Sequence, residues 1–521
     1  FGYHSAMRRG SRTSIRKRMI SLNKGNTKKS IALNAFNRII MYILNLLVPV
    51  VVGPYLARVL DVGLYAQYNA ALSIVQWFLP IAVFGIYTYG MRQASRERED
   101  EYETRKVFTK LFLFGVISTS TALLIYFLFA LTFKKNEIWL YSLLSINIVA
   151  NYFAIEWLNE AFENYKFILY KTMLVRIAYV ISIFIFVRKA DDVLPYTAIA
   201  SGVIFFNNFF GYLYIRRKVK FTKVSFGEIL SLARPLLVVM LLTNTNMLFL
   251  MLDRLFLSVF AKEKIFVTFY TMAMLITMSV MNVVNSIFFV AVPRLSNLFA
   301  GGNREEYKEL LASNSHAFFL VAMPIFAGIA CLGNEIMYIY GGGNYLGAGT
   351  TLAVFGLMFL VYAIDLSLAN QGLFVSGMER ILLVIYLIGG GANLLFDLAL
   401  LMVGRLTPTL LISTTLIADI FVVIMQQHII RREFGRKFSP LDFSTLKYLL
   451  LSLSFLPIAQ LIRRAYKVEM EVSVKFALYV ITVILTCSIF YFAVLLISKD
   501  RYLTPYVKSV FSRIGKVLRR H

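Results

Sequence analysis

Five acidic or amide side chains stand inside long apolar stretches of this 521-residue chain, where a solvated charge has no place: Asp253, Asp365, Asn393, Asp397 and Asp419. A charge at the centre of a bilayer costs at least about 2.5 kcal/mol, so those retained face a cavity or a partner. Asn393 and Asp397 are four residues apart and share one face of a helix, as do Thr409 and Ser413 further on. Two readings stand at this point. Asp253 can pair with its neighbour Arg254 at the membrane edge while Asp397 bonds between helices, or the carboxylates can serve ion chemistry, with Asp365 and Asp419 as alternative carriers of a coupling proton. On the basic side, Arg38 with Asn34, Asn37 and Asn45 nearby, and Arg176 in a later apolar stretch, have the forked donors that bind phosphate or carboxylate. Arg176 can equally neutralise Glu156 or Glu160, and Arg38 can snorkel to the interface.

The elements that must position these residues are transmembrane helices. The chain is 59% hydrophobic and 16% charged, far more apolar than a soluble domain. Crossing a bilayer takes about 20 apolar residues per helix, and the apolar runs here are continuous, which excludes the alternating pattern of a barrel. Fourteen spans are expected, including single long helices over 66–91, 229–259 and 347–375. The fold class is all-α, a polytopic membrane protein. Its parts are a basic arm (1–29), a six-helix lobe (30–218), a second six-helix lobe (219–437), and a final helix pair with a basic amphipathic tail (438–521).

Charge sets the orientation. The 54 Lys and Arg residues outnumber the 28 acids, a surplus of +26 that belongs to cytoplasmic loops and the anionic inner leaflet rather than to nucleic acid. Arg92, Arg96, Arg98, Arg105 and Lys106 follow the second span, and Arg216, Arg217 and Lys218 the sixth. The other set of loops is poorer in basic residues. Both termini are therefore expected in the cytoplasm. Met7 to Ser30 is basic without an apolar core, so no signal peptide is expected there. The two cysteines, Cys331 and Cys487, sit in apolar runs and imply neither a disulfide framework nor a metal site. His316 and His428 stand apart from other ligand types. No loop exceeds about 20 residues, which leaves no room for the extramembrane catalytic domain of a glycosyltransferase or polymerase. The chain is not expected to be an enzyme.

A weak internal repeat supports two related lobes. Tyr68 precedes Arg92 by 24 residues across an apolar span, and Tyr270 precedes Arg294 by the same interval, 202 residues later. Most of the many aromatic residues are expected in helix packing or the interfacial belt. Gly341 to Gly343 reads as an external turn.

In its stretch Pro54-Tyr55-Leu56-Ala57-Arg58-Val59-Leu60, followed by Gly63-Leu64-Tyr65, Ser73-Ile74-Val75-Gln76, Gly85-Ile86, Tyr89-Gly90 and Arg92, the chain resembles the bacterial oligosaccharide flippases of the Wzx family. That family belongs to the MOP group, with the lipid II flippase and the MATE exporters. Asp253-Arg254-Leu255-Phe256-Leu257-Ser258 and Ile339-Tyr340-Gly341 through Tyr345 add to the likeness. The resemblance implies two lobes around a central cavity that opens alternately to each side, with spans thirteen and fourteen forming a groove for a polyprenyl tail. By likeness to the lipid II flippase it also implies a sodium or proton site at Asp253, Asn393, Asp397, the Thr409 carbonyl and Ser413. Such hard oxygen ligands suit a small cation. Arg38, Asn37, Arg176 and Arg58 are the candidates for the substrate's pyrophosphate or acidic sugars, although the lipid II flippase's cavity arginines do not align with them. Arg58 can instead anchor a span end.

The activity this implies is translocation of an undecaprenyl-pyrophosphate-linked oligosaccharide between leaflets, by a monomer in the bacterial cytoplasmic membrane that needs no cofactor beyond a coupling ion. Partners would be that substrate, membrane lipids and the polysaccharide assembly proteins. A teichoic acid precursor or lipid II flippase, or a MATE-like drug antiporter, are the rival readings.

Overall fold

The computed structural model describes residues 48–504 apart from 98, 245–248, 289–290, 436–440, 468 and 472. Apolar runs become helices here because lipid offers the backbone no other hydrogen-bond partner, and polar residues cap them where the chain returns to the interface. Asp61 accepts from the Leu64 N–H at the start of its helix, Asp100 from Tyr102 and Glu103, and Ser473 from Phe476. No strand occurs among the described residues.

The first half comprises α1 (Val48–Val59), α2 (Val62–Val83), α3 (Ile86–Arg96) and α4 (Glu101–Phe133). These are followed by a segmented crossing of α5 (Ile138–Leu144), α6 (Ile146–Val149) and α7 (Glu156–Ala161), and then by α8 (Tyr165–Phe186) and α9 (Val193–Lys218). A short surface helix, α10 (Phe226–Leu230), leads into α11 (Ala233–Thr243) and α12 (Leu250–Phe260). Next come α13 (Ile265–Phe288), α14 (Val292–Ala300), α15 (Arg304–Cys331), α16 (Gly333–Gly341) and α17 (Gly349–Leu366), the last extended by a π-helical segment, Ser367–Phe374. The chain continues through α18 (Glu379–Met402), α19 (Pro408–Phe434), α20 (Phe443–Leu453), α21 (Phe455–Tyr466) and α22 (Val474–Ile497).

Among the described residues, twelve helical stretches are long and apolar enough to cross a membrane, and α1 is a shorter apolar helix. The protein is thus a multi-pass membrane protein. The fourteen expected spans map onto those twelve, onto α1, whose expected first part lies outside the described residues, and onto the pair α11–α12. Leucines and isoleucines such as Leu128, Ile181, Leu387 and Leu485 remain exposed on the outer faces, as a lipid-facing surface requires.

Two of the three long single helices expected from the sequence are broken. Span seven divides into α11 and α12, and α11 ends at Asn244, whose amide donates to the Met240 carbonyl at 2.7 Å and so competes with helix continuation. Span two breaks at Phe84 and Gly85, both in the left-handed region (φ 44° and 74°), after Pro80. A Cβ on Gly85 would lie 2.7 Å from the Leu236 carbonyl oxygen, so glycine here lets α11 approach the break. A long span followed by a short helix carrying an arginine recurs in α13 and α14. Tyr68 and Tyr270 occupy matching buried positions in α2 and α13.

Helix α2 is the meeting line of the two halves and packs on α4, α12 and α13. In the second half α17 lies between α15 and α19, and α18 covers α19. Helices α20 and α21 rest on α15, and α22 lies against α21 and α15. The tail beyond 504 and the basic arm lie outside the described residues.

Candidate functional site

Three of the membrane-embedded polar groups converge. Asp253 on α12 and Asn393 and Asp397 on α18 are all 0% exposed. The Asn393 amide donates to Asp253 Oδ1 at 3.1 Å, while the Tyr270 and Thr415 hydroxyls both donate to Oδ2 at 2.6 Å. Thr415 Oγ1 also lies 3.3 Å from Asn393 Oδ1. Thr414 donates to Asp397 Oδ1 at 3.0 Å, and Asp397 Oδ2 is buried with no hydrogen-bond partner. Four helices thus supply the set: α12, α13, α18 and α19.

The electrostatics follow from the partners. Asp253 is tied to neutral donors rather than to Arg254, whose Nη1 instead donates to Gln76 Oε1 of α2 at 2.8 Å. Two carboxylates in an apolar interior need a positive counter-charge. No group of three His, Cys, Asp or Glu side chains among the described residues is arranged to hold a metal ion. Two carboxylates with amide and hydroxyl oxygens beside them are a donor set of the kind that can hold a small monovalent ion, and Asp397 Oδ2 has no hydrogen-bond partner to occupy it. A proton on that oxygen would serve the same balance.

A second feature lies between the halves. Cavities of about 510 Å³ and about 320 Å³ adjoin at Thr88. The larger is lined by Arg92, Tyr89, Glu160 and, from the second half, Val239; the smaller by Gln76, Tyr87, Thr243 and Asn244. A third, apolar groove of about 570 Å³ runs between α15 and α22, lined almost wholly by aliphatic and aromatic side chains, with Cys331 and Cys487 among them.

Residues 31–299 match the family described as polysaccharide biosynthesis protein, just over half of the chain. The chain belongs to this family. It is also 23% identical, over 358 residues covering 68% of this chain and 88% of the other, to a Shigella dysenteriae protein named "Putative O-antigen transporter". Its fold is similar to that of the lipid II flippase MurJ in an inward closed conformation, with a TM-score of 0.65 at 16% identity, covering 89% of this chain and all of the other. Family, relative and fold agree with the Wzx-type resemblance read from residues 54–92, which lie inside the matched stretch.

Within this family member the predicted site residues separate. Asp253, Asn393 and Asp397 come together. Thr409 and Ser413 do not join them by hydrogen bonds: the Ser413 hydroxyl donates to the Thr409 carbonyl at 2.7 Å, and the Thr409 hydroxyl meets that of Thr351 at 2.9 Å. The hydroxyls that hydrogen-bond the carboxylates are those of Thr414 and Thr415. Tyr270 was legible only as an aromatic of the repeat, and Thr415 had one available signal, its position four residues before Asp419 on the same helix face.

Arg176 lines a cavity of about 260 Å³ with Glu156 and Glu160, yet Glu156 is paired with Lys171 at 2.8 Å and Glu160 accepts from Tyr87 at 2.6 Å. Among the described residues Arg176 has no ion pair. Arg58 is exposed and donates to the Ile339 carbonyl at 2.5 Å, the anchoring alternative. Arg38 and Asn37 lie outside the described residues. His316, expected as packing, is buried with Nε2 2.8 Å from Asp442 Oδ1 and Nδ1 against the Ala312 carbonyl.

Proposed function

We propose that this protein is a flippase that carries undecaprenyl-pyrophosphate-linked oligosaccharide from the cytoplasmic to the outer leaflet by alternating access, coupled to a monovalent cation or proton at Asp253 and Asp397. The observation that carries the reading is the coexistence of a polar crevice between the halves and an apolar groove on the flank of the second half. A lipid-linked sugar has those same two parts, and moving its headgroup through bare hydrocarbon would forfeit every hydrogen bond of the sugar to water. The crevice offers Arg92, Gln76, Thr88 and tyrosine hydroxyls in exchange. Arg176, without an ion pair among the described residues, is assigned to the acidic or pyrophosphate part of the headgroup, with Arg38 and Asn37.

No covalent step is needed. With both termini in the cytoplasm, an inside-negative potential favours outward movement of the anionic headgroup by about 2.3 kcal/mol per charge per 100 mV. The coupling ion resets the empty carrier, provided that ion and substrate prefer different states. The relative's name supports an O-antigen cargo and the fold neighbour's a lipid II-like one. Both are lipid-linked sugars.

The test is transport of a lipid-linked oligosaccharide in proteoliposomes, with and without a sodium or proton gradient, for wild type and Asp397→Asn. Gradient-driven flipping that the variant loses is the expected result. Flipping indifferent to both would remove the coupling role, and export of cationic dyes without flipping would overturn the flippase reading.

A further inference from the structure

A second pair of carboxylates, Asp365 on α17 and Asp419 on α19, occupies the same half. A cavity of about 210 Å³ among α12, α13, α17, α18 and α19 is lined by Asp365, Asp419, Asn370, Tyr362 and Tyr386 with apolar side chains around them. Asp365 is held: Gln426 Nε2 donates to Oδ1 at 2.6 Å, and the Tyr386 hydroxyl lies 3.1 and 3.0 Å from its two oxygens. Asp419 is not held. It is 8% exposed, faces the cavity, and among the described residues enters no hydrogen bond or ion pair. Gln426 Oε1 is likewise buried without a partner. No lysine, arginine or histidine lines the space.

Helix periodicity connects this cavity to the site at Asp253. Thr415, Asp419 and Gln426 fall at i, i+4 and i+11 of α19 and so share a face; Tyr386, Asn393 and Asp397 fall at i, i+7 and i+11 of α18 and do the same. The two helices are consecutive and antiparallel, so their polar faces run in step. Thr415 serves Asp253, Asp419 stands about 6 Å further along the axis, and Gln426, which serves Asp365, about 10 Å beyond that. On α17 the chain widens into its π segment directly after Asp365 and Leu366, which turns Asn370, five residues on, toward the same cavity.

We propose that the Asp365–Asp419 cavity is a second binding site for a small monovalent cation of the Na⁺ or K⁺ class, in line with the Asp253–Asp397 site along the face of α19. Two carboxylates supply the charge and neutral oxygens complete the shell. The volume, room for roughly seven waters, accommodates an ion that keeps part of its hydration. Its role as a stepping station rests on the reading of the chain as a cation-coupled carrier; its existence as a site does not.

Equilibrium binding of radiolabelled Na⁺, and of Rb⁺ in place of K⁺, to the purified full-length protein decides the matter. Wild type is expected to bind two equivalents, Asp365→Asn and Asp419→Asn one each, Asp397→Asn one, and the Asp397→Asn, Asp419→Asn double variant none. Thermal unfolding in detergent verifies that each near-isosteric variant is folded, and the wild-type stoichiometry alone separates one site from two. One equivalent that only Asp397→Asn abolishes would overturn this proposal and leave the coupling site intact. Two equivalents reduced by Asp419→Asn but not by Asp397→Asn would uphold it while removing the coupling site. Binding of neither ion would overturn it outright.

Discussion

Thr415 carries no charge, yet its hydroxyl donates to Asp253 Oδ2 and lies 3.3 Å from Asn393 Oδ1, and its loss would remove one of the two hydroxyl donors on that buried carboxylate oxygen. Thr415→Val keeps the shape and removes the hydroxyl, so it is expected to lower stability by about 1 kcal/mol, in the upper part of the range for hydrogen bonds between membrane helices. Thermal unfolding against Thr415→Ser checks this, since serine keeps the bond. Arg176→Ala should express normally and slow flipping by about tenfold, the worth of one charge-assisted hydrogen bond; unchanged flipping at equal protein density would take Arg176 away from the headgroup. The sequence announced Asp253, Asn393 and Asp397 because a carboxylate in an apolar run is conspicuous and the spacing of four puts the last two on one face. It could not announce Thr414 and Thr415 over Ser413, because three adjacent hydroxyl residues point in three directions and only packing against α12 and α18 selects among them.

At the level of elements, apolar run length predicted where the helices are and failed where they break. The break at Gly85 answers to a close approach by α11, a tertiary fact whose local marks are only the glycine itself and Pro80 before it. Gly85→Ala combines a left-handed backbone with a contact 2.7 Å from a carbonyl oxygen and should cost about 1–3 kcal/mol, seen as a lowered midpoint of thermal unfolding. The surface helix α10 offers a pH test. Its Glu228 carboxyl is held down to about 2 by the Lys106 ammonium 2.8 Å away and by the Ser225 N–H. A carboxyl whose folded value is depressed adds stability that is fully present above its unfolded value and is lost as pH falls through about 2. The contribution of α10 docking should therefore fade between about pH 4.5 and 2, and Glu228→Gln should flatten that part of the unfolding profile.

Across the whole molecule, ties join the halves at both ends: Lys106 pairs with Glu228 at one, and a further set runs toward the end that carries Glu137 and Lys264. Arg58 bonds Ile339, Asn69 donates to Thr268 at 3.2 Å, Trp77 donates to the Met251 carbonyl at 3.2 Å, and Lys264 pairs with Glu137. Alternating access requires that this end part. A cysteine pair at Glu137 and Lys264, in a chain with Cys331 and Cys487 replaced by serine, is expected to stop flipping when cross-linked and to recover on reduction; uninterrupted flipping while cross-linked would mean that this end never opens. None of these ties was legible in the sequence, since each joins residues more than 120 apart. The last helix pair behaves differently, being tied by polar links to the second half: His316 to Asp442, Glu335 to Tyr479 at 3.2 Å and to Arg463 at 3.6 Å, and Tyr491 to the Leu320 carbonyl at 3.3 Å. The groove walls are thereby fastened to the second half, which in the proposed alternating-access cycle is one of the two moving parts. A hydrocarbon chain lodged there would ride with that half while the other swings, so its grip is neither released nor remade in each turnover, and chemical variety in the sugar can be met in the crevice without touching the part that recognises the lipid.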